Sequence, residues 1–102
     1  MQAISSPPTE AERSEFSQRL VREGFLDTEV KTIEAGKVVG EHSHPFDVRA
    51  LVLSGQATID CGAGPRTYRP GDIVDVAANV VHTERYGPDG YSILVGRRHK
   101  PA

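Results

Sequence analysis

Three of the four histidines in this chain stand at spacings that suit a metal site. His42 and His44 are separated by one residue, and residues at i and i+2 of an extended segment project from the same face of a sheet. Their imidazoles can converge on one point, and His82 can join them from a second strand. Neutral imidazole is the commonest protein ligand for divalent transition metals, and three ligands leave coordination positions open for water or substrate. The three histidines therefore predict a metal centre.

Charged and aromatic residues near these histidines are the candidates for a substrate pocket. Arg49, if it points inward, predicts a bidentate contact with a substrate carboxylate; on the outer face of its strand it has no such role. Glu84 and Tyr86 share the face of His82, because side chains on a strand repeat every two residues. Glu84 could orient a ligand, act as a general base or replace a ligand, or it could be a solvated carboxylate at a barrel rim. Tyr86 is either a packing residue or an acid.

Three further residues receive structural interpretations. Asp47 and Glu41 flank the His42–His44 pair and are expected to be exposed loop charges. Cys61 precedes a glycine-rich turn, far from the histidines in sequence, and is interpreted as a small buried hydrophobe rather than a nucleophile. Because it is the single cysteine, no internal disulfide can form.

The beginning of the chain predicts one amphipathic helix near residues 10–23. Thr9 and Glu12 form a T-x-x-E capping box, and the acidic first turn suits the positive end of the helix dipole. Phe16 and Leu20 recur at helical spacing and are expected to face the core, with a dimer contact as the alternative.

After residue 26 the sequence changes to short apolar or alternating runs separated by Gly, Pro, Asn and Asp. This pattern, with no further helix, predicts an all-β barrel or sandwich of antiparallel strands. Two of the expected breaks fall at Gly55 and at Gly87–Gly90. The predicted strands lie near residues 27–34, 37–42, 47–54, 56–61, 66–68, 72–76, 80–86 and 91–97.

Length and composition bound the remaining possibilities. The 102 residues are enough for one domain, divided into a lead-in with the helix (1–24), the barrel (25–97) and a short tail (98–102). A net charge of −2 argues against a nucleic-acid partner. The sequence has no apolar run of membrane-spanning length and no signal-peptide core, so we expect a cytoplasmic protein with no membrane contact.

Two glycine-framed motifs make the region of about residues 30–97 resemble the small single-domain cupins. The first cupin motif runs glycine, five residues, H-x-H, three or four residues, glutamate, about six residues, glycine; it matches here at Gly36, His42, His44 and Gly55. The second runs glycine, five residues, proline, x, glycine, two residues, histidine, three residues, asparagine; it matches here at Gly71 and His82.

The sequence departs from the cupin motifs at the carboxylate and at three positions of the second motif. The glutamate position falls on Val48 or on Arg49, depending on which end of the motif is counted, and neither ligates as a carboxylate does. In the second motif Ala77, Asn79 and Tyr86 stand where the family has proline, glycine and asparagine. Asn79 still tolerates a left-handed backbone.

The resemblance implies a double-stranded β-helix (the jelly-roll or cupin barrel) preceded by one α-helix. It also implies that His42, His44 and His82 bind one divalent transition metal, which spacing alone does not identify among Zn, Fe, Ni, Mn and Cu. The expected function is a metal-dependent enzyme, dioxygenase-like or isomerase-like, that acts on a small organic molecule inside the barrel. The alternative is a non-catalytic module that binds or senses a small ligand or metal. Small cupins are commonly dimers, so a homodimer is expected.

Overall fold

The computed structural model describes residues 6–99. Within this range the chain forms one helix and six strands, α1 (Glu10–Arg22), β1 (Leu26–Ile33), β2 (Val38–His42), β3 (Phe46–Asp60), β4 (Pro65–Tyr68), β5 (Ile73–Val76) and β6 (His82–His99). No helix among these residues is long and apolar enough to cross a bilayer.

The predicted N-terminal helix is confirmed as α1, including its cap. The Thr9 hydroxyl accepts the Glu12 amide at 3.1 Å, and the Thr9 amide donates to the Glu12 carboxylate at 2.8 Å. Phe16 and Leu20 are buried, so the apolar stripe faces the sheet as predicted. They pack there on a cluster formed with Phe25, Leu51 and Leu94.

Two long strands, β3 and β6, replace four of the predicted short ones. The breaks expected at Gly55 and Gly87–Gly90 are wrong, because both strands continue through these glycines as bends. The ladder between β3 and β6 shifts register between Val52 and Ser54 and again between Gly55 and Ala57, which marks bulges at the bend.

The bend depends on two glycines that lie against each other. Gly55 and Gly90 have φ values of 72° and 78°, a region that other residues rarely occupy. A Cβ on Gly55 would lie 1.9 Å from the Gly90 carbonyl oxygen. The two backbones therefore cross at a separation that leaves no room for a side chain.

The bend folds one sheet into two four-stranded layers. In the first, the later half of β6 lies between β1 and the first half of β3, which also pairs with β5. In the second, the earlier half of β6 lies between β2 and the later half of β3, which also pairs with β4. All pairs are antiparallel, and the arrangement is the expected all-β double-stranded β-helix with one N-terminal helix.

Strand alternation sends apolar side chains to two clusters. Ala50 and Val52 point between the layers, whereas Leu51 points outward under α1. The last strand extends beyond the predicted 91–97, so that Arg98 and His99, assigned above to the tail, pair with Asp47 and Phe46.

Replacing Leu20 with alanine is expected to lower the free energy of unfolding by about 2–5 kcal/mol, the usual cost of truncating a buried leucine. Leu20 is 1 % exposed, and its neighbour Val21 on the same helix is 61 % exposed. The control V21A is therefore expected to change stability by less than about 0.5 kcal/mol. Urea denaturation followed by circular dichroism measures both, and equal effects would contradict the packing of α1 on the sheet.

Candidate metal centre

A β-bulge at the end of β2 places His42 on the inner face. Val38 and Val39 lie opposite Arg85 and Glu84, and a continued ladder would bring Glu41 opposite His82. The register shifts after Val39, and His42 takes that place instead. His42 and His82 are thus direct cross-strand neighbours.

A hydrogen bond between two loops brings His44 to the same point. His44 follows β2, and its carbonyl oxygen accepts the Asn79 amide at 2.7 Å. Asn79 has a φ of 65°, so the left-handed turn expected at this departure from the cupin motif is present. The ring of Phe46 stacks on the His44 ring, with centroids 5.0 Å apart and planes 11° apart.

The three predicted histidines form one cluster. One ring nitrogen from each of His42, His44 and His82 lies within 4.8 Å of the others. The closest rings are those of His42 and His82, with centroids 4.1 Å apart. His82 is buried and the other two are half-buried.

Backbone carbonyls fix the tautomer of two of the rings. Nδ1 of His42 lies 2.8 Å from the Gly40 carbonyl oxygen, and Nδ1 of His82 lies 3.0 Å from that of Val80. A carbonyl oxygen only accepts hydrogen bonds, so each Nδ1 carries the proton and donates it. In the neutral ring this leaves the Nε2 lone pair free, the arrangement usual in metal-ligating histidines.

Glu84 supplies a carboxylate at the same point. Its Oε2 lies 3.3 Å from Nε2 of His42 and 3.8 Å from Nε2 of His82. Neutral rings of the tautomer described above would direct two lone pairs at an anionic oxygen, which is unfavourable without a cation among them. Ligand atoms around an ion with bonds of ~2.1 Å lie about 3.0–3.4 Å apart, close to the shorter of these distances. The donor set therefore fits a divalent transition metal.

Electrostatics favour the neutral form of His44. Partial burial lowers the pKa of His44, and the neighbouring rings of His42 and His82 lower it further. Only a deprotonated imidazole nitrogen can bind a metal. His44 consequently remains available as a ligand to lower pH than an ordinary histidine.

Tyr86 lies two residues after Glu84 on the inner face, and both side chains line the cavity. Burial raises the pKa of Tyr86 strongly, and the Glu84 charge adds to this. Its phenol is therefore protonated at neutral pH. The ring stacks on Tyr91, with centroids 5.2 Å apart, which fixes its orientation.

Arg49 and Asp47, both considered above, have structural roles outside the cavity. Arg49 is not brought to the histidines: its guanidinium binds Asp75 at 2.6 Å and also Glu23, and it lies over the Phe25 ring. Of the two orientations considered for the Arg49 side chain, the outward one is correct. Side chains alternate along β3, and the neighbouring Ala50 points inward.

Asp47 is buried at 8 % exposure, so its interpretation as an exposed loop charge is wrong. Its carboxylate accepts the Ala78 amide at 2.8 Å and pairs with the Arg98 guanidinium at 3.0 Å. Glu41 is exposed, as expected.

Cys61 is exposed rather than buried, which corrects the packing role given to it above. Partial desolvation raises the pKa of its thiol, and the Asp60 and Glu84 charges act in the same direction. The thiol is consequently less reactive than an ordinary cysteine, and no nucleophilic role follows.

A cavity of about 420 Å³ lies between the two layers and reaches the metal-site cluster. His42, His44, Glu84 and Tyr86 form part of its lining. The rest is partly apolar and partly cationic, with Lys31, Ile33, Lys37, Val39, Phe46, Val48, Ile93, Val95 and Arg97. Its volume is in the range of small-molecule sites.

Comparison with solved structures decides the fold family. A cupin superfamily protein from Desulfitobacterium hafniense DCB-2 superimposes with a TM-score of 0.61 at 22 % identity, covering 70 % of this chain and 64 % of that one. A cupin-like protein from Thermotoga maritima gives 0.57 at 28 %, covering 76 % and 60 %. The chain has the fold of a small cupin domain.

A third similar structure is the DMSP lyase DddQ from Ruegeria pomeroyi DSS-3, with a TM-score of 0.66 at 28 % identity. The match covers 76 % of the cupin domain described here but 40 % of the lyase. The cupin domain thus spans less than two thirds of each of these three relatives. No protein-family model matches the sequence, and no curated protein is significantly similar to it.

Sequence reasoning missed the cationic residues of the cavity, among them Lys31 and Lys37. Parity along β1 and β2 groups them with inward residues, since Ile33 and Val39 lie two positions on. This alternation can be read from the sequence. It indicates a cavity only when both strands are known to lie beside the histidines.

Replacing His82 with alanine is expected to weaken Zn²⁺ binding by at least about 100-fold, more than the loss of a group that merely supports a ligand. The matched control is H99A, because His99 lies outside the cluster with its side chain 57 % exposed. Isothermal titration calorimetry with Zn²⁺ measures both variants. Wild-type affinity in H82A would remove this residue as a ligand.

Proposed function

We propose that this cupin domain is a metal-dependent enzyme that acts on a small organic molecule in the cavity, with His42, His44, His82 and Glu84 holding one divalent transition metal. The observation that carries the proposal is the convergence of two tautomer-fixed Nε2 atoms and a carboxylate oxygen beside a cavity of about 420 Å³. In this assignment Glu84 takes the part of the carboxylate that the first cupin motif lacks here.

The metal, when bound, would act as a Lewis acid that polarises an oxygen of the substrate. Tyr86 lies in the cavity with its phenol protonated at neutral pH, so it is suited to donate a hydrogen bond to a substrate oxygen on which negative charge develops. The side chains of Val39, Val48 and Ile93 supply an apolar wall for the substrate.

Within this proposal we favour chemistry of the isomerase or lyase type over the dioxygenase-like alternative. The similarity to a DMSP lyase at 28 % identity supports this choice. The expected homodimer and cytoplasmic location remain predictions.

Turnover assays on protein purified without added metal test the proposed function. Elemental analysis identifies the native ion, and NMR follows product formation from a panel of small hydroxy- and keto-carboxylates. Oxygen uptake with diketones, thiols and phenols tests the dioxygenase-like alternative. We expect turnover that a chelator abolishes and that Tyr86→Phe reduces in kcat more than in KM. Ligand binding by the metal-loaded protein without turnover on any substrate would instead support the non-catalytic module.

Replacing Glu84 with glutamine is expected to weaken Zn²⁺ binding by about tenfold or more, because the amide keeps the shape of the side chain and removes its charge. The control is E41Q, which removes a carboxylate next to His42 that is exposed outside the cluster. Calorimetry compares the two affinities. If E84Q binds Zn²⁺ as tightly as E41Q, Glu84 is not a ligand.

A further inference from the structure

The cavity carries positive charge although the protein as a whole has a net charge of −2. Its lining includes three cations, Lys31, Lys37 and Arg97, and one anion, Glu84. Arg97 is already engaged, since its guanidinium binds the Glu29 carboxylate at 3.2 Å and the Asp27 carbonyl oxygen at 3.3 Å. Among residues 6–99, by contrast, Lys31 and Lys37 have no side-chain hydrogen bond or ion pair.

The two free ammonium groups come from opposite layers. Lys31 stands on β1 opposite Ile93, in the layer that carries α1. Lys37 precedes β2 in the other layer, where its carbonyl oxygen accepts the Tyr86 amide at 3.0 Å. An anion between the layers is therefore within reach of both side chains.

Strand register sets the separation along the strand between the backbone positions of Lys37 and Glu84. Val39 is the cross-strand partner of Glu84, and Lys37 is bonded to Tyr86, the next inward position on β6. Two residues along a strand span about 7 Å. A chain of about four to six carbons, with bonds of ~1.5 Å, covers that span.

We propose that the substrate is a small organic anion whose carboxylate is held by Lys31 and Lys37, while its other end reaches the His42–His44–Glu84 side of the cavity. This inference rests on the proposed function, because it assigns a substrate class to the same site. Both lysines are exposed to solvent at the cavity, and each ammonium group can donate a charge-assisted hydrogen bond to the carboxylate. In this proposal Lys31 and Lys37, rather than Arg49, contact the substrate carboxylate.

Glutarate and its neutral analogue glutaramide are the probes for this site. Wild-type protein, with and without Zn²⁺, is titrated with each by NMR, and Zn²⁺ affinity is measured separately by calorimetry. Glutarate is expected to bind at least about tenfold more tightly than glutaramide. The double variant K31Q/K37Q is expected to lose at least about tenfold in glutarate affinity and to keep its Zn²⁺ affinity.

The matched control is R85Q. Arg85 lies between Glu84 and Tyr86 on β6 but is exposed on the opposite face, so its loss changes net charge without changing the cavity. R85Q is expected to bind both probes as the wild type does.

The outcomes separate the two proposals. Glutarate binding that is unchanged in K31Q/K37Q, or no tighter than glutaramide binding in the wild type, would overturn the anion site even if Zn²⁺ binds. Lysine-dependent glutarate binding in a protein that does not bind Zn²⁺, and in which elemental analysis finds no other transition metal, would support the anion site and refute the metal-dependent function.

Discussion

The antiparallel pairing of β3 with β6 determines where every part of this cupin domain lies. Each of these strands runs through both layers, and each of the other four strands pairs with one half of one of them. The bend is possible because Gly55 and Gly90 approach without side chains. Through this bend, the end of β3 that carries Asp47 and the end of β6 that carries His82 reach the same side of the molecule. The bend at these two glycines therefore sets the positions of the cavity, the histidine cluster and the outer helix.

Two carboxylates near the histidines have divided roles. Asp47 lies three residues after His44, and its hydrogen bond to the Ala78 amide holds the loop that leads into His82. Its pairing with Arg98 ties that loop to the end of β6. Glu84, in contrast, points between the layers and meets the ring nitrogens themselves. One acidic residue therefore holds the loop before His82, and the other lies among the histidine ring nitrogens.

Local sequence patterns were sufficient to predict the N-terminal helix and the histidine cluster. The capping box at Thr9 and the apolar stripe at Phe16 sufficed for α1. The H-x-H spacing and the second glycine-framed motif sufficed for the histidine cluster.

Features set by cross-strand packing could not be predicted in this way. A glycine within an apolar run is equally consistent with a strand end and with a bend, and only the approach of Gly90 to Gly55 distinguishes them. The burial of Asp47 likewise depends on a partner far away in sequence, the Ala78 amide.

The extra residue in β2 affects which ring nitrogen of His42 carries the proton. A bulge leaves ladder groups unpaired, and here the Gly40 carbonyl accepts the Nδ1 proton of His42. The backbone thereby selects which of the two ring nitrogens faces the Glu84 carboxylate, as the Val80 carbonyl does for His82. Ion exchange at such a centre requires no rearrangement of protons within these rings, because the coordinating edge of each is already chosen when the chain folds.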